Sequence, residues 1–309
     1  MPVSLPPNGF AAFIGGKMLY KKKFPLVVFL VPGLILMLVF LYEPFIENII
    51  NSFYDMTSFV EIPGRKWRFI GTENYRKLLR DENVRTALIN SIKMMGLTII
   101  FQVGTALVFA ILVSWLKKGQ SFFRTVYFFP IVISATAIGL LFKLFYNYNG
   151  GMLNQLLAAF GRNPVNWLAP GRAFIMIAIP TLWSYVGFYF VILLTGLNDI
   201  PEDLYEAAKV DGCSKLERVF HITLPLLRGV LCTCTILAVT GALKVFDLPW
   251  VIAPKGAPQG KTYILGTLMY EQTFSIGNID YGSAIAFVIV SFGFLVSQLV
   301  HKLLNPDAD

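Results

Sequence analysis

Long apolar runs alternate with polar segments along the chain, at about 25–50, 89–116, 125–147, 172–197, 225–249 and 282–304. Each is close to the roughly 20 residues that an α-helix needs to cross the hydrocarbon core of a bilayer. Barrel strands would be about half as long and would alternate apolar with polar positions, which these runs do not. The pattern predicts an all-α integral membrane protein with six transmembrane helices over residues 25–304, flanked by tails at 1–24 and 305–309. The densest polar interruption is an island at 203–227, "DLYEAAKVDGCSKLERVFHITLPLL", which overlaps a connection at about 198–225.

Proline and glycine punctuate the runs: Pro32-Gly33 and Pro44 in the first, Pro130 and Gly139 in the third, Pro180 and Gly187 in the fourth. Such breaks are tolerated in a bundle where neighbours or water satisfy the freed backbone groups. They fit broken helices around a shared cavity, a transporter habit, and equally a kink in a purely structural span, which is the commoner case.

The island spells two short helices. Asp199 can cap the first with Glu202 three residues on, Pro201 sits in its first turn, and Leu204, Ala207, Ala208 and Val210 share roughly one face. Gly212 supplies a left-handed stop. Ser214 and Glu217 form a second capping box, with Leu216, Val219 and Phe220 behind it, before Pro225 opens the next span. A bracket so capped is stiff. It suits mechanical coupling to a soluble partner, and it equally suits a stable connection that binds nothing.

Composition supports the membrane reading, since 56% of the 309 residues are hydrophobic and 14% charged. The net charge of +8 is spread over membrane flanks and mixed with acids, so topology accounts for it without nucleic acid. An even number of spans puts both termini on one side. Lys17, Lys21, Lys22 and Lys23, with no acid among the first 24 residues, place that side in the cytoplasm. The outer basic residues lie mostly in one long loop (Arg65, Lys66, Arg68, Arg76, Lys77, Arg80, Arg85), a kind of loop that crosses with less regard to charge. The first run is too long for a cleaved leader and lacks a small-residue cleavage site, so it reads as a retained span.

Enzyme chemistry finds little support. Cys232 and Cys234 point to different helix faces and Cys213 lies in the island, so no disulfide or metal set is expected. "GAPQGKT" at 256–262 imitates a phosphate-cradling loop, but Gly256 is one residue too close to Gly260, so the chain carries no evident ATPase. His221 and His301 stand without catalytic partners.

Glu206-Ala207-Ala208, Asp211-Gly212, Phe220 and Ile222-Thr223-Leu224-Pro225 resemble the EAA loop of the inner-membrane permease subunits of binding-protein-dependent ABC importers. Residue types and spacing agree over about twenty positions. The resemblance extends over most of the chain and is closest to the carbohydrate-type permeases, through "VPGLILMLVFLYEPFIENIINSF" (31–53), "FIGTENYRKLL" (69–79), "FFRTVYFFP" (122–130), Trp183 with Gly187-Phe188, "VFDL" (245–248) and "DYGSA" (280–284). Cys213, Lys244, Asp280 and "APKGAPQG" depart from the family pattern, mainly on the outer side, and bear on the substrate more than on the family.

The resemblance implies the type I ABC importer permease fold in a bacterial cytoplasmic membrane, with lipid around it. It implies that the island docks into a cleft on a separate ATPase, with Glu206 and Gly212 defining the coupling loop. It implies a second, related permease as the other half of the pathway, two ATPase subunits that bind ATP and Mg, and an extracytoplasmic solute-binding protein. No cofactor is implied in this chain. A sugar or oligosaccharide is the implied cargo, with glycerol-phosphate or another anionic solute as the alternative. From other classes, a self-sufficient secondary transporter and, more distantly, a membrane enzyme remain open.

Charges inside the runs bear on that choice. Glu43, Lys93, Lys143, Lys244 and Asp247 all fall in the outer third. They read either as snorkelling side chains, with Lys244 paired to Asp247 one turn away, or as the wall of a positively biased vestibule. Trp183, Tyr185, Phe188 and Tyr189 in the fourth run and Phe246 and Trp250 in the fifth offer rings to sugar faces, or simply pack. Trp183, Tyr185, Phe188, Tyr189, Lys244, Phe246 and Asp247 are the candidate pathway residues.

Overall fold

The computed structural model describes residues 23–56, 67–116 and 118–304, with side chains from Val27 onward. The tail lysines at 17, 21 and 22, together with Arg65, Lys66 and the segment 305–309, lie outside the described residues. The described chain up to Glu47 forms one compact unit and that from Asn48 onward a second. The first unit holds the apolar helix α1 (Lys23–Met37), a π-turn at Leu38–Tyr42 and the start of α2 (Glu43–Asn51), whose last residues, from Asn48, belong to the second unit.

After the end of α2, the second unit continues with a two-stranded ribbon, β1 (Tyr54–Asp55) and β2 (Arg68–Phe69), antiparallel with Tyr54 opposite Phe69. Then come α3 (Glu73–Leu78), α4 (Glu82–Leu97), a π-turn at Thr98–Val103, α5 (Gly104–Ser114), α6 (Gln120–Val132), α7 (Ala135–Phe145), α8 (Met152–Ala159) and α9 (Ala173–Asn198). The polar island holds α10 (Glu202–Val210) and α11 (Lys215–Arg218). After it follow α12 (Leu224–Leu226), α13 (Arg228–Lys244), α14 (Asp247–Ile252), α15 (Leu265–Tyr270) and α16 (Ile279–Leu304).

Among the described residues, five helical stretches are long and apolar enough to span a membrane: Val27–Asn51, Glu82–Ser114, Ala173–Asn198, Arg228–Ile252 and Ile279–Leu304. The run expected as one helix over 125–147 is instead two, α6 and α7, bent by 85°. Pro130 lacks the amide that would extend the ladder of α6, and Ile133 and Ser134 adopt extended backbone (ψ 138° and 131°), so the chain leaves the helix axis there.

Between helices in lipid no hydrophobic force favours association, so close packing through small residues has to hold them. Gly187 lets α9 lie against the backbone of α6 at Tyr127 and Phe128. Ala106, Ala110 and Ala238 are fully buried beside Phe190, Leu193 and Leu194 in the apolar cluster that joins α5, α6, α9 and α13. A second cluster joins α4, α13, α15 and α16 around Met94, Val239, Leu265 and Ala284. These cores fix the two ends of α13, where the polar features lie.

Candidate functional site

The island is built as a bracket. Gly212 takes φ +82°, and α10 closes through the Cys213 amide donating to the Ala208 carbonyl (2.9 Å) and the Gly212 amide to that of Lys209 (3.2 Å). A residue with a Cβ pays a conformational penalty in that left-handed region, which is why the stop falls on glycine. The capping box of α11 is complete: the Glu217 amide donates to Ser214 Oγ (3.3 Å) and the Ser214 amide donates to Glu217 Oε2 (2.6 Å). The Ser214 backbone and hydroxyl hydrogen bonds hold the Glu217 carboxyl below the ordinary carboxylate range.

One expectation for the bracket needs correction. Asp199 caps nothing: it ends α9, and α10 opens after Pro201 without a side-chain cap. The face of α10 that carries Leu204, Ala207, Ala208 and Val210 is mostly exposed. Only Ala208 is buried, because α10 is held down through Ala208 and Tyr205, one turn apart. Tyr205 bonds Thr223 hydroxyl to hydroxyl at 3.0 Å, and Thr223 Oγ1 donates to the Arg218 carbonyl. Leu204, Val210, Leu216 and Phe220 therefore face outward, Val210 with 88% of its surface exposed.

Glu206, Ala207, Asp211, Gly212, Phe220 and Pro225 are exposed, while Ile222 and Leu224 are half-buried. A further tie runs sideways, from Lys215 Nζ to the Trp115 ring just beyond α5 (5.4 Å). A π-turn at Val219–Thr223 fuses α11 to the helix that follows. Beneath the bracket lies a cavity of 730 Å³ walled by Trp115, Gln120, Glu202, Tyr205, Lys215 and Arg218.

The second polar feature sits at the other end of α13, whose 17 residues carry the chain about 25 Å from the bracket. There a chamber of 200 Å³ is walled by Tyr185 and Tyr189 from α9, by Lys244, Phe246 and Asp247, and by Thr98, Gln102 and Thr181. Five of the seven candidate pathway residues thus meet in one wall. Trp183 and Phe188 do not join them: Trp183 faces Phe142 (6.0 Å between ring centres) and Phe188 stands edge-on to Tyr189 (5.3 Å).

Lys244 and Asp247 do not form the expected pair. Val245 is extended (ψ 125°), so α13 stops at Lys244 and Asp247 opens α14, which removes the helical turn that would have brought them together. The ion pairs among the described residues are Arg68–Asp55 (3.8 Å) and Lys77–Glu73 (3.6 Å).

Thr98 and Gln102 were not anticipated. Both lie in the π-turn of the second span, a local widening that often marks functional positions. Gln102 Nε2 donates to the Thr181 carbonyl at 3.0 Å and so joins that span to α9 across the chamber wall. The signal was present as two polar side chains inside an apolar run. Among the described residues no cluster of His, Cys, Asp or Glu could hold a metal. The arrangement offers an exposed, stiffened handle at one end of the bundle and, at the other, a small chamber with rings, hydroxyls, an amide and charges of both signs.

The model of the family of binding-protein-dependent transport system inner membrane components matches residues 94–309. The probable ABC transporter permease protein YurN of Bacillus subtilis is 34% identical over 283 residues, covering 90% of this chain and 95% of that protein. The trehalose/maltose transport system permease protein MalF of Thermococcus litoralis is 33% identical, with 87% and 88% covered. Among solved structures, a chain of a bacterial ABC transporter involved in the import of the acidic polysaccharide alginate superimposes with a TM-score of 0.81 over 94% of this chain and 98% of that one, at 20% identity. The chain belongs to the inner membrane components of binding-protein-dependent transport systems.

Proposed function

We propose that this chain is one of two permease halves of an ATP-driven importer of a sugar or oligosaccharide, with both termini in the cytoplasm of a bacterium. A related but different permease supplies the other half, and an extracytoplasmic binding protein delivers the solute. Two ATPase subunits, which bind the ATP and Mg, drive the cycle through the bracket. The observation that carries this reading is the bracket itself: capped and tied to Trp115 and Thr223, it presents Glu206, Gly212 and the apolar set Leu204, Val210, Leu216 and Phe220 outward.

A flexible loop would absorb a push, whereas this bracket transmits one into α9 and α13. The likeness to a trehalose/maltose permease over 87% of the chain supports a saccharide cargo. The test is uptake in the assembled importer with Glu206→Lys and Gly212→Asp. Both variants are expected to insert normally, to lose recruitment of the ATPase and to stop uptake; normal uptake in both overturns the coupling role.

Lys244 favours a second reading of the cargo, as an acidic saccharide or phosphorylated polyol. Lys244 lines the chamber and has no ion pair among the described residues. Lys244→Gln is expected to shift uptake from acidic toward neutral sugars, and an unchanged preference sinks the anionic cargo.

A further inference from the structure

Four aromatic rings run outward from the chamber. Phe246, in the chamber wall, lies 5.7 Å from Trp250 (26° between planes) and 4.4 Å from Tyr270. Trp250 lies 4.9 Å from Tyr270, and Tyr270 lies 5.0 Å from Phe274, which has 62% of its surface exposed. The local structure explains the run. Phe246 and Trp250 are four residues apart where the chain restarts as α14, and Tyr270 and Phe274 are four apart where α15 widens into the π-turn Glu271–Ile276.

Two observations set these rings apart from ordinary packing. Among the described residues, Phe246, Trp250 and Tyr270 belong to none of the three apolar clusters of the bundle, and the four rings touch one another in sequence from chamber to surface. The polar tips of the middle pair are also unspent, since neither the Trp250 indole N–H nor the Tyr270 hydroxyl makes a hydrogen bond among the described residues. Rings with donors at their edges suit a ligand that has C–H faces and a rim of hydroxyls. A saccharide has that chemistry. A lipid tail would leave the donors unused.

We infer that Phe274, Tyr270, Trp250 and Phe246 form a stacking path along which successive saccharide rings pass from the surface to the chamber. The inference rests on the saccharide cargo proposed above and adds a binding surface outside the chamber. Because each ring is sequence-tolerant in what it stacks on, the path acts on chain length: a longer saccharide touches several rings at once, a short one only the nearest.

The test uses the complete importer in proteoliposomes with its binding protein and ATPase, and measures uptake of mono-, di-, tri- and tetrasaccharides below saturation. Phe274→Ala is expected to lower tri- and tetrasaccharide uptake about fivefold relative to monosaccharide uptake, the size of one lost ring contact. Phe274→Tyr, which restores the ring, is expected to recover it. If the wild type moves saccharides but Phe274→Ala shows the same length profile, the path is wrong while the saccharide cargo stands. If the wild type moves none of the panel, the cargo reading fails and the path falls with it. An equal loss at every length together with weaker capture of the binding protein would assign the strip to protein docking and overturn the path.

Discussion

Replacing Gly187 by alanine tests the packing that holds the broken third span against α9. A Cβ at this position would meet the Tyr127 carbonyl group, and it would lie 2.7 Å from the Phe128 amide nitrogen. Ordinary contact is 3.4 Å or more, so the Phe128 contact alone requires α6 and α9 to part by about 0.7 Å. Neither obstacle is the flexible end of a side chain; both are helix backbone.

A gap of 0.5–1 Å forfeits about a quarter to a half of each dispersion contact across it. Tyr127 and Phe190 meet edge to face at 5.1 Å across this interface, with Phe123 and Leu193 in the same cluster. A side chain with roughly 50 atom contacts worth about 0.15 kcal/mol each loses about 1–1.5 kcal/mol when a third is stripped from the half facing the gap. Two such side chains bring the cost to about 2–3 kcal/mol, within the range seen for overpacked cores.

At about 2–4 °C per kcal/mol for a chain of this size, the midpoint of thermal unfolding in detergent should fall by roughly 5–10 °C. Gly96→Ala is the control. A Cβ there meets nothing within 4 Å, and alanine in the body of α4 should leave the midpoint unchanged or raise it by the equivalent of up to about 1 kcal/mol. A Gly187→Ala midpoint within about 2 °C of the wild type would refute the close approach of α6 and α9.

Gly212→Ala separates conformation from sterics. Nothing lies within 4 Å of its Cβ, but φ +82° costs an alanine about 1–2 kcal/mol, so α10 should fray at its end and the ATP hydrolysed per solute moved should rise while the bundle keeps its thermal midpoint. Ser214→Ala removes the cap of α11 and should speed amide exchange over 215–218, consistent with a loss of about 1 kcal/mol. The same box has a pH signature. The folded pKa of Glu217 lies below its unfolded value, so the contribution is complete above the ordinary Glu range of about 4.3 and is lost as pH falls through the folded value, and Glu217→Gln, which has no carboxylate to titrate, should abolish that acid-side change in exchange. Asn154→Ala should loosen the segment 146–167, because Asn154 Nδ2 donates to the Tyr148 and Val165 carbonyls while its Oδ1 accepts from the Val165 amide and Trp167 Nε1; faster proteolysis of that loop in intact membranes is the expected readout, and wild-type resistance contradicts it.

The spans were legible because membrane crossing is written in length: a run of about 20 apolar residues has few other uses. Their internal breaks were not. Pro130 is compatible with a mild kink or a sharp bend, and the choice fell to Ile133 and Ser134, whose extended backbone has no signature in residue type. Lys244 and Asp247 misled because three-residue spacing pairs side chains only while the helix continues, and it stops between them at Val245. The second capping box and the Gly212 stop were legible, since both depend on side chains a few residues apart. The outward turn of Leu204 and Val210 was not, because it depends on Tyr205 finding Thr223, a partner 18 residues away. The chamber was half legible: the aromatic and charged members stood out, while Thr98 and Gln102 passed for tolerated polar residues until the π-turn set their direction.

The joints of the bracket bear on which changes of length the chain can survive. Only 199–201 separate α9 from α10, and Val219–Thr223 runs from α11 into the next helix without a break. One residue inserted into the second joint, which is helical throughout, would rotate everything beyond it by about 100° relative to the bracket and advance it by about 1.5 Å. Glu206 and Gly212 would keep their chemistry and change their direction relative to the membrane helices beyond. The handle is thus indexed to the membrane helices like a key cut to one orientation, and chain length there is as much a determinant as residue identity.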